Sequence, residues 1–224
     1  MYKNIMKFIV VFCIAGNKFT EGFVKNWTLL LHLLSQNQHI EPHYVFYNDT
    51  DEFTLRNKIL QYDEQNKKLF DGVWDYDYIV SIDSDITFEP NDIFKMLQKL
   101  LSKPKVKMIC GSYVMDNGRQ WAIKDFSEMM FAQGINRYFS TQELEKWSDD
   151  TQDNLLQVMN AGTKYFVAKK GLFEKIGYPF YRSDLEYNFN NEWNRMDPSM
   201  ALGASFFKNF VLPYVDISVK AKIG

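Results

Sequence analysis

Apolar and polar residues form alternating blocks in the first half of the chain, and these blocks predict strands separated by helices. Continuous apolar runs predict buried strands at 7–16, 42–49, 76–83 and 106–115. Apolar residues recur at helical spacing over 21–36 and again between Pro90 and Pro104, so each of these stretches predicts an amphipathic helix. Residues 51–70 are polar and mostly have helical propensity.

The second half has a less regular pattern. Residues 116–153 form a polar excursion in which Ser140 and Glu143 have the spacing of a helix capping box. The stretch 155–177 predicts a strand, a kink at 160–162, a second strand and a short helix ending at Gly177. Residues 178–200 are rich in aromatic residues and lack periodicity, which is typical of a functional loop. A helical turn or two and a last strand follow.

Strands that alternate with helices predict one α/β domain with a Rossmann-like, mostly parallel central sheet and helices on both faces. Ligands of such sheets bind beyond the carboxyl ends of the strands. The predicted strands end here in Ala15-Gly16-Asn17, in Asn48 and in Asp83-Ser84-Asp85. We therefore expect the binding site at this edge.

Composition and charge narrow the class of protein. Apolar residues make up 46% of the chain, which excludes a disordered protein. The formal charge of −2 provides no basic field for a nucleic acid. Cys13 and Cys110 lie in apolar runs, so we expect buried thiols, a reducing compartment and a cytoplasmic protein. The first residues loosely imitate a signal peptide, but a first buried strand is the preferred interpretation, and no run is long enough to span a membrane.

The stretch YIVSIDSDIT places Asp83 and Asp85 at the end of a buried strand. Side chains two positions apart in a strand point to the same face, so the two carboxylates are expected to converge. Carboxylates that converge repel each other unless a cation lies between them, and Mg²⁺ and Mn²⁺ prefer such oxygen ligands. The alternative is a turn rich in Asp that caps the next helix.

Two protein families have this pattern. Asp83-Ser-Asp85-Ile-Thr87 matches the signature of haloacid-dehalogenase-like phosphatases, in which the first Asp is the nucleophile. That signature normally lies on the first strand, whereas two strand–helix units precede it here. The family also needs acids after a later strand, and the only adjacent Asp pair, Asp149-Asp150, lies in a polar segment.

The chain resembles nucleotide-sugar glycosyltransferases of the GT-A fold over most of its length, especially small members from large DNA viruses and phages, including those that glycosylate chlorella-virus capsids. The resemblance implies that Asp85 binds the metal and that Asp83 contacts the ribose or the metal through water. It places the donor nucleotide near Ala15, Gly16 and Asn17 and near Arg56-Asn57. The corresponding polar positions at strand ends add Asn48 and Ser84, and Gly162 is expected to floor the sugar pocket.

The chain departs from this family at the general base. The acids expected in inverting members fall near Leu202-Gly203, which cannot accept a proton. Asp197 is the preferred candidate for the base and Glu192 the second. A histidine that often follows the last strand as a metal ligand is also missing, because the sequence there reads Lys222-Ile223-Gly224. These departures leave open a degenerate domain that binds sugar nucleotides or glycans without turnover.

The leading hypothesis is an Mn²⁺- or Mg²⁺-dependent hexosyltransferase that moves a sugar from a nucleotide diphosphate sugar to a glycan or glycoprotein. UDP-glucose is the first donor to consider. Residues 1–115 would bind the donor, and residues 116–224 would form the acceptor side of the same domain. For a virus-encoded enzyme, the expected location is the host cytoplasm.

Overall fold

A computed structural model of the protein describes residues 7–114, 119–123, 138–150, 153–189 and 192–223. The strands in this part of the chain are β1 (Phe8–Ala15), β2 (Ile40–Tyr47), β3 (Tyr78–Asp83), β4 (Ile86–Thr87), β5 (Met108–Tyr113), β6 (Arg119–Ile123), β7 (Tyr138–Ser140), β8 (Leu155–Gln157), β9 (Asn160–Ala161), β10 (Tyr165–Lys169), β11 (Glu186–Phe189), β12 (Glu192–Arg195) and β13 (Tyr214–Ile223). The helices are α1 (Glu21–Gln36), α2 (Glu52–Lys58), α3 (Pro90–Ser102), α4 (Thr141–Asp150), α5 (Leu172–Ile176) and α6 (Pro198–Lys208).

The central sheet has the strand order β2-β1-β3-β10-β5-β13-β4, and β8 pairs with β13. Strands β2, β1, β3, β5 and β13 run in one direction, while β10 lies antiparallel between β3 and β5. Strands β10 and β13 come from the second half of the chain and complete the sheet that the first half begins. The predicted fold class, one α/β domain with a mostly parallel sheet, is confirmed.

Helices cover both faces of the sheet, which explains why its strands are apolar without interruption. Successive residues of a strand point to opposite faces. On β1, Val10, Phe12 and Ile14 pack into the core beneath α1 and α3. Val11, Cys13 and Ala15 pack into the core beneath α2, α5 and α6.

Local capping signals fix where several helices begin. The Thr20 hydroxyl oxygen accepts from the Phe23 N–H at 3.2 Å and starts α1. Pro90 occupies the first turn of α3, where a missing N–H costs nothing. The predicted capping box is confirmed: Glu143 accepts from the Ser140 N–H at 2.8 Å, and the Ser140 hydroxyl accepts from the Glu143 N–H at 3.1 Å.

Three predictions about elements were wrong in extent. Within 51–70, which has mostly helical propensity, the α-helix is limited to α2. Strand β2 is shifted by two residues toward the N-terminus relative to the predicted range 42–49. The stretch 178–200 is not a structureless loop, because β11 pairs with β12 in an antiparallel hairpin and α6 begins at Pro198. The two strands of this hairpin have only four residues each, so alternation of polar and apolar residues is a weak signal there.

The two cysteines are structural. Cys13 and Cys110 are both buried and unpaired, and burial raises the pKa of each thiol. Buried thiols of this kind behave as small apolar side chains. None of the helices in the described part of the chain combines the length and apolar character needed to cross a membrane.

Candidate functional site

The candidate site lies at the edge where β2, β1 and β3 end together. Ala15 is paired with Tyr47 on one side and with Asp83 on the other, so the three parallel strands finish at the same level. The Ser84 N–H donates to the Ala15 carbonyl at 2.8 Å and holds the turn after β3 against β1. Asn48 directly follows β2 at this edge and is exposed.

The loop after β1 depends on a glycine. Gly16 has a φ of +124°, and a Cβ added to it would lie 2.3 Å from the Ser84 hydroxyl oxygen. Ser84 in turn donates to the Lys18 carbonyl at 2.7 Å. The backbone of this loop is therefore drawn close to the turn that carries the acids, while Asn17 is exposed beside it.

Two later segments reach the same edge. The Asp83 N–H donates to the Lys164 carbonyl at 2.8 Å, so residues 162–164, including the buried Gly162, lie against the end of β3. At the other side, Ile223 at the end of β13 is paired with Ile86 of β4. The end of the last strand thus lies beside the residue that follows Asp85.

Asp83 forms a buried ion pair with Arg56 of α2. The two guanidinium NH groups donate to the two carboxylate oxygens at 2.5 Å each, and Arg56 is 3% exposed. Burial raises the pKa of Asp83, and the charge of Arg56 opposes that rise. The guanidinium also donates to the Thr163 carbonyl at 3.3 Å, so Arg56 ties α2 to the segment before β10.

Asp85 is paired with a different cation. Strand β3 ends at Asp83, and Asp85 lies in the turn that follows, so the argument that both acids share one strand face was wrong. The two carboxylates are nevertheless close enough that the charge of Asp85 raises the pKa of Asp83. Lys164 donates to Asp85 Oδ2 at 2.5 Å, and both side chains are about one-third exposed, at 29% and 34%.

Polar atoms without a partner concentrate around these acids. Among the described residues, the buried side-chain atoms that lack a hydrogen bond are Arg56 Nε, Asp85 Oδ1, Tyr113 OH and Tyr165 OH. Tyr113 is the last residue of β5, and its pKa is raised well above 10, first by burial and then by the charge of Asp83. A hydrogen bond from the backbone of Lys164 opposes part of this rise in pKa. Buried polar groups are rarely left unpaired, so the atoms of Arg56 and Asp85 beside the acid pair are open to a water molecule or a polar ligand.

The residues fit a divalent cation held mainly by Asp85. Asp85 Oδ1 is a carboxylate oxygen with no partner among the described residues, whereas both oxygens of Asp83 are engaged by Arg56. Within the same part of the chain, no group of three or more His, Cys, Asp or Glu side chains could form a metal site. Mg²⁺ typically uses one or two carboxylates and completes its shell with water and phosphate oxygens.

Asn57 has a structural environment. Its amide nitrogen donates to the Tyr181 carbonyl at 2.8 Å, and its amide oxygen accepts from the Tyr181 N–H at 3.0 Å. This reciprocal pair attaches α2 to the segment after α5. The predicted contact between Asn57 and the donor stays a prediction, but the side chain already serves two buried backbone groups.

Asp197 is the residue before α6, and among charged side chains Glu52 affects its pKa. Its carboxylate accepts from the Met200 N–H at 2.9 Å and caps the helix. Burial raises the pKa of Asp197, and the charge of Glu52 adds to the rise; hydrogen bonds from Met200 and Ser199 oppose it. Glu52 also contacts Arg56 at 3.4 Å.

A hydroxyl pair links α6 to the same edge. The Ser199 and Thr163 hydroxyl oxygens are 2.9 Å apart, and the Thr163 carbonyl accepts a hydrogen bond from Arg56. This pair holds the start of α6, which Asp197 caps, against the segment before β10, and the role of Asp197 as the base stays a prediction. Glu192, the second candidate for the base, begins β12, and its side chain lies outside the described part of the structure.

A cleft of about 920 Å³ lies on another side of α2. Residues that line it include Thr54, Lys58, Tyr178, Arg182, Asp184 and Lys208. Tyr178 stacks on Tyr62 with ring centroids 5.4 Å apart and remains 42% exposed. Of the residues predicted for the site, only Asn57 lines this cleft, so it is separate from the acid pair.

Sequence reasoning missed two residues of the site, Lys164 and Tyr113. Neither belongs to a recognisable motif. Lys164 reaches the site because β10 inserts between β3 and β5, and Tyr113 reaches it because β5 ends at the same edge. The available signal for Tyr113 was its hydroxyl group near the end of the predicted strand 106–115, where ligands of such sheets bind.

Comparison with known proteins supports the fold but not a sequence family. No family model and no curated protein matches the chain. A197 from STIV matches with a TM-score of 0.55 and 15% identity, over 96% of this chain and 84% of that one. GalNAc-T7, solved with UDP, GalNAc and Mn²⁺, matches with a TM-score of 0.51 and 8% identity, over 99% of this chain.

This chain spans 44% of the GalNAc-T7 chain that it matches. At such low identity the likeness to both structures shows the fold alone.

Proposed function

We propose that the protein is a metal-dependent glycosyltransferase that uses a nucleotide diphosphate sugar, with UDP-glucose as the first donor to test. One observation carries the proposal: buried unpaired atoms of Arg56 and Asp85 lie beside an acid pair at the carboxyl edge of a GT-A-like sheet. One is a donor and the other is a carboxylate oxygen, so they suit a ligand that brings both oxygen acceptors and a cation.

The proposed roles follow from these contacts. Asp85 holds the cation, and Asp83, fixed by Arg56, faces the ribose. When bound there, a divalent cation supplies charge neutralisation for the departing diphosphate. Gly16 lets the loop with Asn17 approach the nucleotide, while Asn48 contributes at the end of β2.

Gly162 lies where the transferred sugar would rest. It is buried and directly precedes Thr163, whose carbonyl receives Arg56. Tyr113 OH, which lies near the backbone of Lys164, would donate to an oxygen of the donor from the end of β5. These two positions support a sugar pocket between β5 and the segment before β10.

Asp197 is proposed as the general base for the acceptor hydroxyl. Its raised pKa brings the carboxylate closer to the basicity that proton abstraction needs. Glu52, whose charge adds to that rise, also contacts Arg56 at 3.4 Å, which supports a place for Asp197 on this side of the ion pair. Glu192 remains the second candidate.

The acceptor is proposed to be a glycan or glycoprotein, bound mainly by residues 116–224, while residues 1–115 bind the donor. The cleft beside α2 supports this division, since the segment 176–184 and the end of α6 supply most of its lining. Exposed Tyr178 offers a ring face next to charged and amide groups, a combination suited to a sugar.

The biological setting is also part of the proposal. Two buried unpaired cysteines fit a reducing cytoplasm, including that of a virus-infected host. The resemblance to virus-encoded enzymes makes a capsid glycoprotein the acceptor to test first.

A screen of nucleotide sugars, with Mn²⁺ present and absent, tests the proposal. We expect thermal stabilisation by a UDP-sugar that requires Mn²⁺, followed by sugar transfer or slow sugar release in the same sample. Binding without any turnover would instead support the degenerate sugar-nucleotide-binding domain. No stabilisation by any nucleotide sugar would refute the proposal.

The same samples test the phosphatase alternative. Asp83 would be the nucleophile, yet both of its oxygens are held by Arg56 in a buried ion pair. Asp149 and Asp150 end helix α4 and do not follow a strand. We therefore expect no hydrolysis of an aryl phosphate; hydrolysis lost in Asp83→Asn would favour the phosphatase.

A further inference from the structure

Lys164 occupies a position that the proposed function does not assign. Its ammonium group donates to Asp85 Oδ2 at 2.5 Å, on the carboxylate proposed to hold the divalent cation. The contact is direct, and the side chain of Lys164 is 29% exposed, so the ammonium group lies at the surface of the site. A cation that binds Asp85 must therefore share or displace this ion pair.

The backbone of Lys164 is fixed independently of its side chain. Its carbonyl accepts from the Asp83 N–H, and Tyr165 next to it is paired with Ile82. Only the flexible four-carbon stem needs to move for the ammonium group to leave Asp85. The charged group would remain beside the acids after such a movement.

The local charges indicate where the ammonium group would go. The net charge of the two ion pairs is zero, since each joins one basic and one acidic side chain: Arg56 with Asp83, and Lys164 with Asp85. A diphosphate adds negative charge and a divalent cation adds positive charge. If the cation takes Asp85, the freed ammonium group finds its best new partner in the diphosphate oxygens.

We propose that Lys164 competes with the divalent cation for Asp85 and, once displaced, binds the diphosphate of the donor. This inference rests on the proposed function, because the diphosphate is that of the nucleotide sugar. The cation would bind Asp85 and the diphosphate would bind Lys164, so each ligand takes one member of the Lys164–Asp85 ion pair. Binding of either ligand therefore frees the group that the other needs. It assigns Lys164 as a donor-binding residue.

The proposal predicts opposite effects of one substitution. In Lys164→Met, Mn²⁺ alone should bind about threefold tighter or more, since a competing positive charge is gone. UDP measured with Mn²⁺ present should bind about tenfold weaker or more, because a charge-assisted contact to phosphate is lost. Lys164→Arg keeps the charge and should stay close to wild type in both measurements.

Mn²⁺ affinity is read from the paramagnetic resonance signal of the free ion, and UDP affinity from calorimetry. Lys170→Met is the matched control, since Lys170 forms an exposed ion pair with Asp75 at the opposite end of β10 and β3. It removes the same charge and should change neither affinity. Circular dichroism and a melting curve establish that each variant is folded.

The outcomes separate the two claims. Unchanged or weaker Mn²⁺ binding in Lys164→Met, with UDP binding intact in the wild type, overturns the inference and leaves the proposed function standing. No Mn²⁺ binding by the wild type also overturns the inference. If the wild type binds Mn²⁺ but no nucleotide, the proposed function fails and the assignment of Lys164 to a diphosphate fails with it.

Discussion

Replacing Arg56 with Met should destabilise the protein strongly. Arg56 is 3% exposed and donates to both oxygens of Asp83, so its removal leaves a buried carboxylate without a counter-charge. Breaking a buried pair in this way costs about 3–5 kcal/mol. A domain of this type has only about 5–15 kcal/mol of stability, so the variant should be folded but visibly weakened.

Urea unfolding followed by circular dichroism measures the effect. With a slope of about 2–3 kcal/mol per molar urea, the midpoint should fall by about 1–2 M. Asp83→Asn in the Arg56→Met background should recover part of the loss, because it removes the unpaired charge. The double variant should therefore be less destabilised than the sum of the two single variants.

The loss of stability in Arg56→Met should depend on pH. Burial raises the pKa of Asp83, and Arg56 opposes the rise, so in Arg56→Met the folded-state pKa lies further above the unfolded value. A raised folded-state pKa contributes stability at low pH that is lost as the pH rises through it. The deficit of Arg56→Met relative to wild type should thus be smaller at about pH 5 than at about pH 8.

Lys170→Met provides the control for loss of one positive charge. Its partner Asp75 is exposed, so water screens the ion pair and the substitution should change the urea midpoint far less than Arg56→Met does. The reasoning would be refuted if Arg56→Met cost no more than Lys170→Met and showed the same deficit at both pH values. That result would mean that the buried ion pair contributes little to holding α2 at the site.

Three further substitutions, one of them with a matched control, test other parts of the site. Gly16→Ala should lower the melting temperature and weaken nucleotide binding, because the added Cβ would lie 2.3 Å from the Ser84 hydroxyl oxygen. Gly171 also has a positive φ, but the space around it is open, so the control Gly171→Ala should affect stability alone. Asn57→Leu should cost about 1–3 kcal/mol in urea unfolding, since the buried N–H and carbonyl of Tyr181 lose their partner; an unchanged midpoint would contradict this. Asp197→Asn should keep the helix cap and the stability but lose about 10²–10⁴-fold in transfer rate, and a rate near wild type would exclude Asp197 as the base.

The fold could be predicted from the sequence wherever one face of an element buries apolar residues at a regular period. The bounds of α1 match the prediction, and β1 and β3 fall within the predicted ranges, because their apolar residues pack into two cores that flank the sheet. The antiparallel insertion of β10 between β3 and β5 could not be predicted. Its register depends on partners more than 50 residues away, which no local pattern records.

The candidate site was predictable where it coincides with strand ends. Asp83 and Asp85 were found because a buried strand does not normally end in two charges. Arg56 was expected to contact the donor nucleotide, but its ion pair with Asp83 was not foreseen, because it approaches from α2. Lys164 was not named at all, because it approaches from the segment before β10. Two acids that the sequence suggests for one cation are each paired with a separate basic side chain, and only the tertiary structure shows this arrangement.

The structure also explains why no acid occupies positions 202 and 203, where the resemblance places the general base. Leu202 and Gly203 are buried in α6, and a Cβ on Gly203 would meet the side chain of Asn160 at 2.5 Å. An acid at position 203 would clash with Asn160, and Leu202 is closed to solvent. The half-buried Asp197 at the start of the same helix is therefore the better-placed carboxylate.

Calorimetric titration of UDP into the wild-type protein and Asp85→Asn, with Mn²⁺ and with a chelator, tests the central claim most directly. Asn at position 85 keeps the shape of the side chain but not its charge, so both proteins should fold alike. We expect Mn²⁺-dependent binding of UDP by the wild type and a loss of that dependence in Asp85→Asn. Equal UDP binding by both proteins in the presence of Mn²⁺, or none by the wild type, would contradict a metal-assisted nucleotide-sugar site at Asp85.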